Sequence, residues 1–147
     1  MTTRTLLAAA GLAALAGAAS AQDDAVTVSS KIDTEGGLLG NMIALALKDG
    51  GVTVDRRLQL GGTQVVREAI MAGQIDIYPE YTGNAAFFFN EADSDVWKDA
   101  EAAHERAAEL DAEANDVAWL ASAPANNTWA IAVTGPVAEE NNLNKWA

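Results

Sequence analysis

The sequence has 147 residues, half of them apolar, with nine Lys and Arg against 21 Asp and Glu, one His and no Cys. That length suits one domain, and so large an apolar share excludes disorder for the chain as a whole. A formal charge of −12 argues against nucleic acid or anionic membrane as a partner, and the lack of Cys excludes disulfides, thiol catalysis, cysteine zinc sites and a lipid-anchored cysteine.

Residues 1–21 read as a secretory signal. Arg4 is the positive leader, Leu6 to Ala18 is the apolar stretch, and Ala19-Ser20-Ala21 is the small-residue pattern that places cleavage before Gln22. The apolar run is shorter than the ~20 residues of a membrane-spanning helix. Cleavage removes Arg4 alone among charged residues, which takes the charge from −12 to −13. An exported chain with no anchor belongs in the periplasm.

Beyond a short polar leader, Ala25 to Ser30 alternates and is β-branched, as in a strand. Thr34-Glu35-Gly36-Gly37 opens a helix with Leu38, Leu39, Met42, Ile43, Ala46 and Leu47 as its apolar face, closed by Gly50-Gly51. Val52 to Leu60 is a second strand. Gly61-Gly62-Thr63 follows, with Thr63 as cap for a helix whose apolar face is Val65, Val66, Ala69 and Ile70. Gln74 to Tyr78 is a third strand that Pro79 stops, since proline has no N–H for the ladder. This alternation predicts βαβ units on a parallel sheet. Ligands of such sheets bind beyond the carboxyl ends of the strands, here Lys31 to Gly37, Gly61 to Thr63 and Pro79 to Asn84.

Thr82 to Phe89 reads as a short helix. Ser94 to Asn115 reads as a long one, with Val96, Trp97, Ala100, Ala103, Ala107 and Leu110 on one side. Val117 to Leu120 and Thr128 to Val133 read as strands, and Val137 onward approaches another helix beyond Gly135-Pro136.

Chemistry-bearing residues are few. The sole His, His104, sits mid-helix, where a surface or half-buried role suits it, and with no Cys a nucleophilic triad is difficult to assemble. No residue is marked out as catalytic, and no metal or cofactor motif is present. Gly61-Gly62-Thr63 offers free N–H groups to an anion, though the same residues also fit an ordinary loop and cap. Tyr78-Pro79-Glu80-Tyr81-Thr82-Gly83 joins two aromatics, a carboxylate and a rigid turn after a strand. A Tyr face stabilises a quaternary ammonium by about 0.5–2 kcal/mol, and packing on the domain is the competing use of these rings. Asn126-Asn127-Thr128-Trp129 presents the same alternatives. For Phe87, Phe88 and Phe89, core packing is expected of at least two.

KIDTEGGLLGNM (31–42), LGGTQVVREAIMAGQIDIYPEYTG (60–83) and APANNTWAIAV (123–133), in that order and spacing, resemble the glycine betaine/choline/carnitine-type binding proteins of osmoprotectant ABC importers. The resemblance runs from about Val26 to the last residue. It implies an α/β, periplasmic-binding-protein-like fold of type II. Family members are about twice as long, so it also implies a chain truncated to most of lobe one (22–127) and a crossover with the start of lobe two (128–147), binding weakly or not at all on its own. In the family an aromatic cage clasps the trimethylammonium group and polar groups fix the carboxylate. The cage aromatics fall on Tyr81 and Trp129. Thr82, Asn84, Thr63, Gly62, Glu35 and Asn127 complete the candidate ligand-binding set. Betaine-specific relatives carry TEQ where this chain has Thr34-Glu35-Gly36, and YTGT where it has Tyr81-Thr82-Gly83-Asn84. The implied function is that of a periplasmic, non-enzymatic receptor that closes on a small quaternary-ammonium solute and docks on an inner-membrane ABC permease. It binds no nucleic acid and does not insert into the membrane. The competing readings are a receptor for another zwitterion, amine or anion, a small secreted hydrolase using Glu80 or Glu35, and a non-functional truncated product.

Overall fold

The computed structural model describes residues 25–127 and 132–143. The expected signal segment 1–21 and most of the expected strand Thr128–Val133 lie outside them. The chain divides into two compact units, one ending at Ala92 and one beginning at Asp93.

The first unit is built on β1 (Val26–Lys31), the most buried segment of the sheet. It pairs in parallel with β2 (Val54–Gly61), from Val26 opposite Val54 to Lys31 opposite Gly61. A parallel pair requires a crossover between its strands, and α1 (Thr34–Asp49) provides it. Asp33 starts α1 by accepting the Gly36 N–H at 2.7 Å. On the other side of β1 the expected third strand is reduced to a single parallel bridge, Val28 to Ile77. Ser29 N–H donates to the Ile77 carbonyl at 2.8 Å, but the Thr27 N–H goes to the Asp76 carboxylate at 2.7 Å. A side chain thus takes a ladder position that a backbone carbonyl would fill, and Pro79 prevents extension beyond. β1 is central, flanked by β2 and this bridge.

α2 (Thr63–Met71) packs Val66 and Ala69 on Ile75, with Ile70 and Tyr78 around them. Gly62 is its cap residue and Thr63 its first helical residue, with no side-chain cap bond. The capping role expected of Thr63 is therefore not observed, because the helix begins one residue too early for it. α3 (Thr82–Phe88) follows the Ile77 bridge. Phe88 and Phe89 lie against the buried Arg67 guanidinium, 4.7 and 5.9 Å from their ring centres, while Phe87 is exposed.

The buried face of α1 differs from the one that the apolar spacing predicts. Gly36, Gly37, Gly40 and Ala44 face inward, whereas Leu38, Met42 and Leu45 are exposed. The cause is close approach. A Cβ on Gly40 would stand 2.7 Å from Leu58 Cδ2 and 3.0 Å from Ser30 Cβ, and one on Gly36 would stand 2.8 Å from the Lys31 carbonyl oxygen. The helix rests on the sheet with hydrogen atoms where larger side chains would hold it away.

In the second unit the long helix expected over Ser94–Asn115 is interrupted. A short 3-10 helix covers Asp95–Lys98, and α4 covers Ala100–Asn115. Asp99 between them is extended and caps α4 by accepting the Ala102 N–H at 2.9 Å, a role for which Asp is strongly preferred. α4 buries Ala103, Ala107 and Asp111. The Asp111 carboxylate accepts from Trp119 Nε1 at 2.6 Å and Asn115 Nδ2 at 2.9 Å, and His104 Nε2 meets the Leu120 carbonyl at 2.7 Å. These bonds fix Val117 to Leu120 along the helix as irregular chain, so the strand expected there does not form. α5 (Gly135–Asn141) has Pro136 in its first turn, so Gly135 and Pro136 open the helix that the sequence reading placed beyond them.

The close contact of α1 can be tested by substitution. Gly40→Val should lower the unfolding free energy by about 1–3 kcal/mol through overpacking. Gly83→Ala, in a helix position where a Cβ meets nothing within 4 Å, should raise it by up to ~1 kcal/mol. Urea unfolding of both variants reads the contrast, and equal effects would show that α1 does not sit so close to the sheet.

Candidate functional site

The site forms at the carboxyl end of β1. Between Ser29 and Lys31 the pairing with β2 slips, with Gln59 in the left-handed region at φ 55°. The slip is stabilised by Ser30 Oγ, which accepts the Gln59 N–H at 2.9 Å. A bulge re-aims the residues beside it. Here it sets Lys31, the last residue of β1, opposite Gly61, and the Ile32 N–H donates to the Gly61 carbonyl at 2.8 Å.

Lys31 is 6% exposed. Its ammonium forms an ion pair with Glu80, both side chains being buried, and stands 4.6 Å from the centre of the Tyr81 ring. Glu80 gathers the surrounding donors. Its Oε1 accepts from Lys31 Nζ, from the Tyr81 N–H at 2.7 Å and from Asn84 Nδ2 at 2.7 Å. Its Oε2 accepts from the Tyr78 hydroxyl at 3.0 Å. Burial raises the pKa of that phenol well above its ordinary value, and the neighbouring Glu80 carboxylate adds to the rise, while Arg67 opposes it.

The structure brings several expected residues together. Tyr81 and Thr82 are half-buried at the start of α3, and Asn84 is tied to Glu80. Gly62 and Thr63 follow directly on Gly61, which faces Lys31. Glu35 is an exposed residue in the first turn of α1. Gly36 is buried there, where a Cβ would stand 2.8 Å from the Lys31 carbonyl oxygen. Asn127 is an exposed residue of the second unit, and Trp129 lies outside the described residues. The second unit also carries an open depression lined by α4 residues around His104 and by residues 121–126.

Sequence reasoning placed Lys31 and Glu80 in the strand-end segments, but left both out of the candidate ligand-binding set and missed their pairing. A usable signal was present. A cation ends one strand and an anion follows another just past its end, and adjacent parallel strands place such ends side by side. Among the described residues, no group of three or more His, Asp or Glu side chains is placed to hold a metal ion. None of their helices is long and apolar enough to cross a membrane.

The first unit is thus a parallel α/β unit with an aromatic ring and a buried ion pair at its strand ends. Residues 24–147 match the family described as the substrate-binding domain of ABC-type glycine betaine transport systems, and the chain belongs to that family. It is 54% identical over 122 residues to the glycine betaine-binding protein YehZ of Escherichia coli K12, covering 83% of this chain and 40% of that protein. It is 37% identical over 133 residues to a glycine-betaine-binding protein of Pseudomonas aeruginosa, covering 90% of this chain and 40% of the relative. The solved structure of apo YehZ superposes with a TM-score of 0.72 over 82% of this chain and 43% of that one, which establishes the periplasmic-binding-protein-like fold. The chain spans about two-fifths of the length of these curated relatives.

The Tyr78 phenol gives a pH test. Its pKa is raised on folding, so the unfolded chain releases this proton first, above pH ~10. Stability should therefore fall as pH rises beyond that point, by up to about 1.4 kcal/mol per unit. Urea midpoints between pH 9 and 11 should show this component lost in Tyr78→Phe and kept in Tyr81→Phe. An unchanged slope in Tyr78→Phe would mean that the phenol is not buried against Glu80.

Proposed function

We propose that this protein is the periplasmic solute-binding component of an ABC importer for glycine betaine or a closely related quaternary-ammonium osmoprotectant. The observation that carries this reading is the fixed aromatic at the sheet edge. A quaternary ammonium has no proton to donate, so aromatic faces are its natural binding surface, each contributing about 0.5–2 kcal/mol. The Tyr81 backbone is tied to Glu80 through its N–H, and a ring held in place before binding loses little freedom on binding. Lys31 stands over one face of that ring; the solute's ammonium takes the opposite face, with Trp129 as the second aromatic.

Thr82, Asn84, Thr63, Gly62, Glu35 and Asn127 serve as the polar surround. Residues 22–127 act as lobe one and residues 128–147 begin lobe two, after cleavage before Gln22. The names of the two relatives above, both glycine betaine-binding proteins, support this solute class. Binding is favoured over hydrolysis by the state of Glu80. Its side chain is only 7% exposed and already holds four donors, three on Oε1 and one on Oε2, so water has little access to it.

Calorimetric titration with glycine betaine, choline and carnitine tests the reading. Saturable binding is expected, weakened at least tenfold, or about 1.4 kcal/mol, by Tyr81→Ala and by Trp129→Ala. Residues 22–147 alone should bind more weakly than a reading frame of the relatives' length, because one lobe covers one side of the solute. Turnover of a solute that disappears in Glu80→Gln would favour the hydrolase instead.

A further inference from the structure

We infer that Glu80 is a positioning residue that sets selectivity between cationic and zwitterionic solutes, by neutralising Lys31 and holding it against Tyr81. The inference rests on the receptor reading above and concerns which member of that solute class is preferred. Lys31 and Glu80 are 49 residues apart, yet their side chains are only 8% and 7% exposed and joined as an ion pair. The same carboxylate oxygen holds the Tyr81 N–H and the Asn84 amide. One group therefore fixes the charge beside the ring, the backbone that carries the ring, and the first turn of the helix behind it.

The electrostatic consequence differs between solutes. With Glu80 ionised, Lys31 and Glu80 together present a neutral pair to a solute on the Tyr81 ring. A cation without a carboxylate, such as choline, then meets no net repulsion. If the Glu80 charge is removed, an uncompensated ammonium remains 4.6 Å from the ring centre. Like charges on opposite sides of one ring, roughly 9 Å apart, repel enough at a dielectric between water and protein interior to change binding about fivefold. Glycine betaine carries its own carboxylate, whose attraction to the freed ammonium offsets the repulsion of its trimethylammonium group.

The test uses the full chain and its Glu80→Gln, Glu80→Asp and Lys31→Met/Glu80→Gln variants, each titrated with choline and glycine betaine. Glu80→Gln should raise the choline-to-betaine ratio of Kd values about fivefold. Glu80→Asp should lie nearer to wild type, and the double variant, neutral again, should return the ratio toward it. A general loss of packing would weaken both solutes alike and leave the ratio unchanged, and that result overturns the inference. So does a double variant that stays at the Glu80→Gln ratio. A readout independent of solute is the ring-current shift of the Lys31 side-chain protons under Tyr81, measured by NMR. It should be present in wild type and reduced in Glu80→Gln, and its persistence there would show that Glu80 does not position Lys31. If a wild-type reading frame of the relatives' length binds neither solute, the receptor reading fails and the selectivity claim with it, while the ring-current comparison still decides the positioning.

Discussion

The ion pair between Lys31 and Glu80 holds the first unit's working end together. It joins the last residue of the central strand to the segment leading into α3, across 49 residues of chain. Two charges buried to this extent are costly to desolvate, and such pairs persist where further hydrogen bonds satisfy both partners. Glu80 meets that condition through Tyr81, Asn84 and Tyr78, and Lys31 meets it in part through the Tyr81 ring. Removing either partner would leave the other buried and uncompensated, a loss of about 3–5 kcal/mol in comparable cases. The charges thus connect the end of β1, the segment 78–81 and the first turn of α3.

That connection depends on how near α1 lies to the sheet. Gly36 places the first turn of α1 against the Lys31 carbonyl, and Gly40 places the next turn against Leu58 and Ser30. Side chains at either position would lift the helix away from the strand end that carries Lys31. The slip in pairing at Ser30 and Gln59 does complementary work from the other side, since it brings Gly61 opposite Lys31 and turns β2 into the loop that precedes α2. Backbone geometry, more than side-chain bulk, shapes the floor of the site.

An aromatic with a neutralised charge pair beside it suits a solute that is charged but cannot donate hydrogen bonds. The ring supplies attraction without requiring a proton from the solute. The pair supplies rigidity without adding net charge. Arg67 extends the same arrangement inward, where its guanidinium lies on Phe88 and Phe89 and moderates the environment of the Tyr78 phenol. Charge and aromatic surface alternate from the inside of the unit to its edge.

The order of elements was legible in the chain because it depends on local signals: the β-branched run at Val26, the helix opening at Thr34-Glu35-Gly36-Gly37, the glycines at 50–51, the apolar stripe of Val66 and Ala69, and the breaker at Pro79. The segments able to line a site were legible for the same reason, since in a parallel sheet they must lie at strand ends. Long-range competition decided the rest. Apolar spacing marks Leu38 and Met42 as core, yet the sheet accepts the glycine face of α1, because contact distance and not hydrophobicity determines which side can approach. QIDIY has strand chemistry, yet only Ile77 forms a bridge, since Asp76 takes the Thr27 N–H for its own carboxylate. VAWL also has strand chemistry, yet Asp111 and His104 hold it along a helix. The sequence by itself marked the segments able to line a site and placed Tyr81 in one of them. Only the tertiary structure decided that Lys31 and Glu80 would be buried together beneath that ring, because a pairing across 49 residues is set by strand register and helix depth, which no local stretch of the chain encodes.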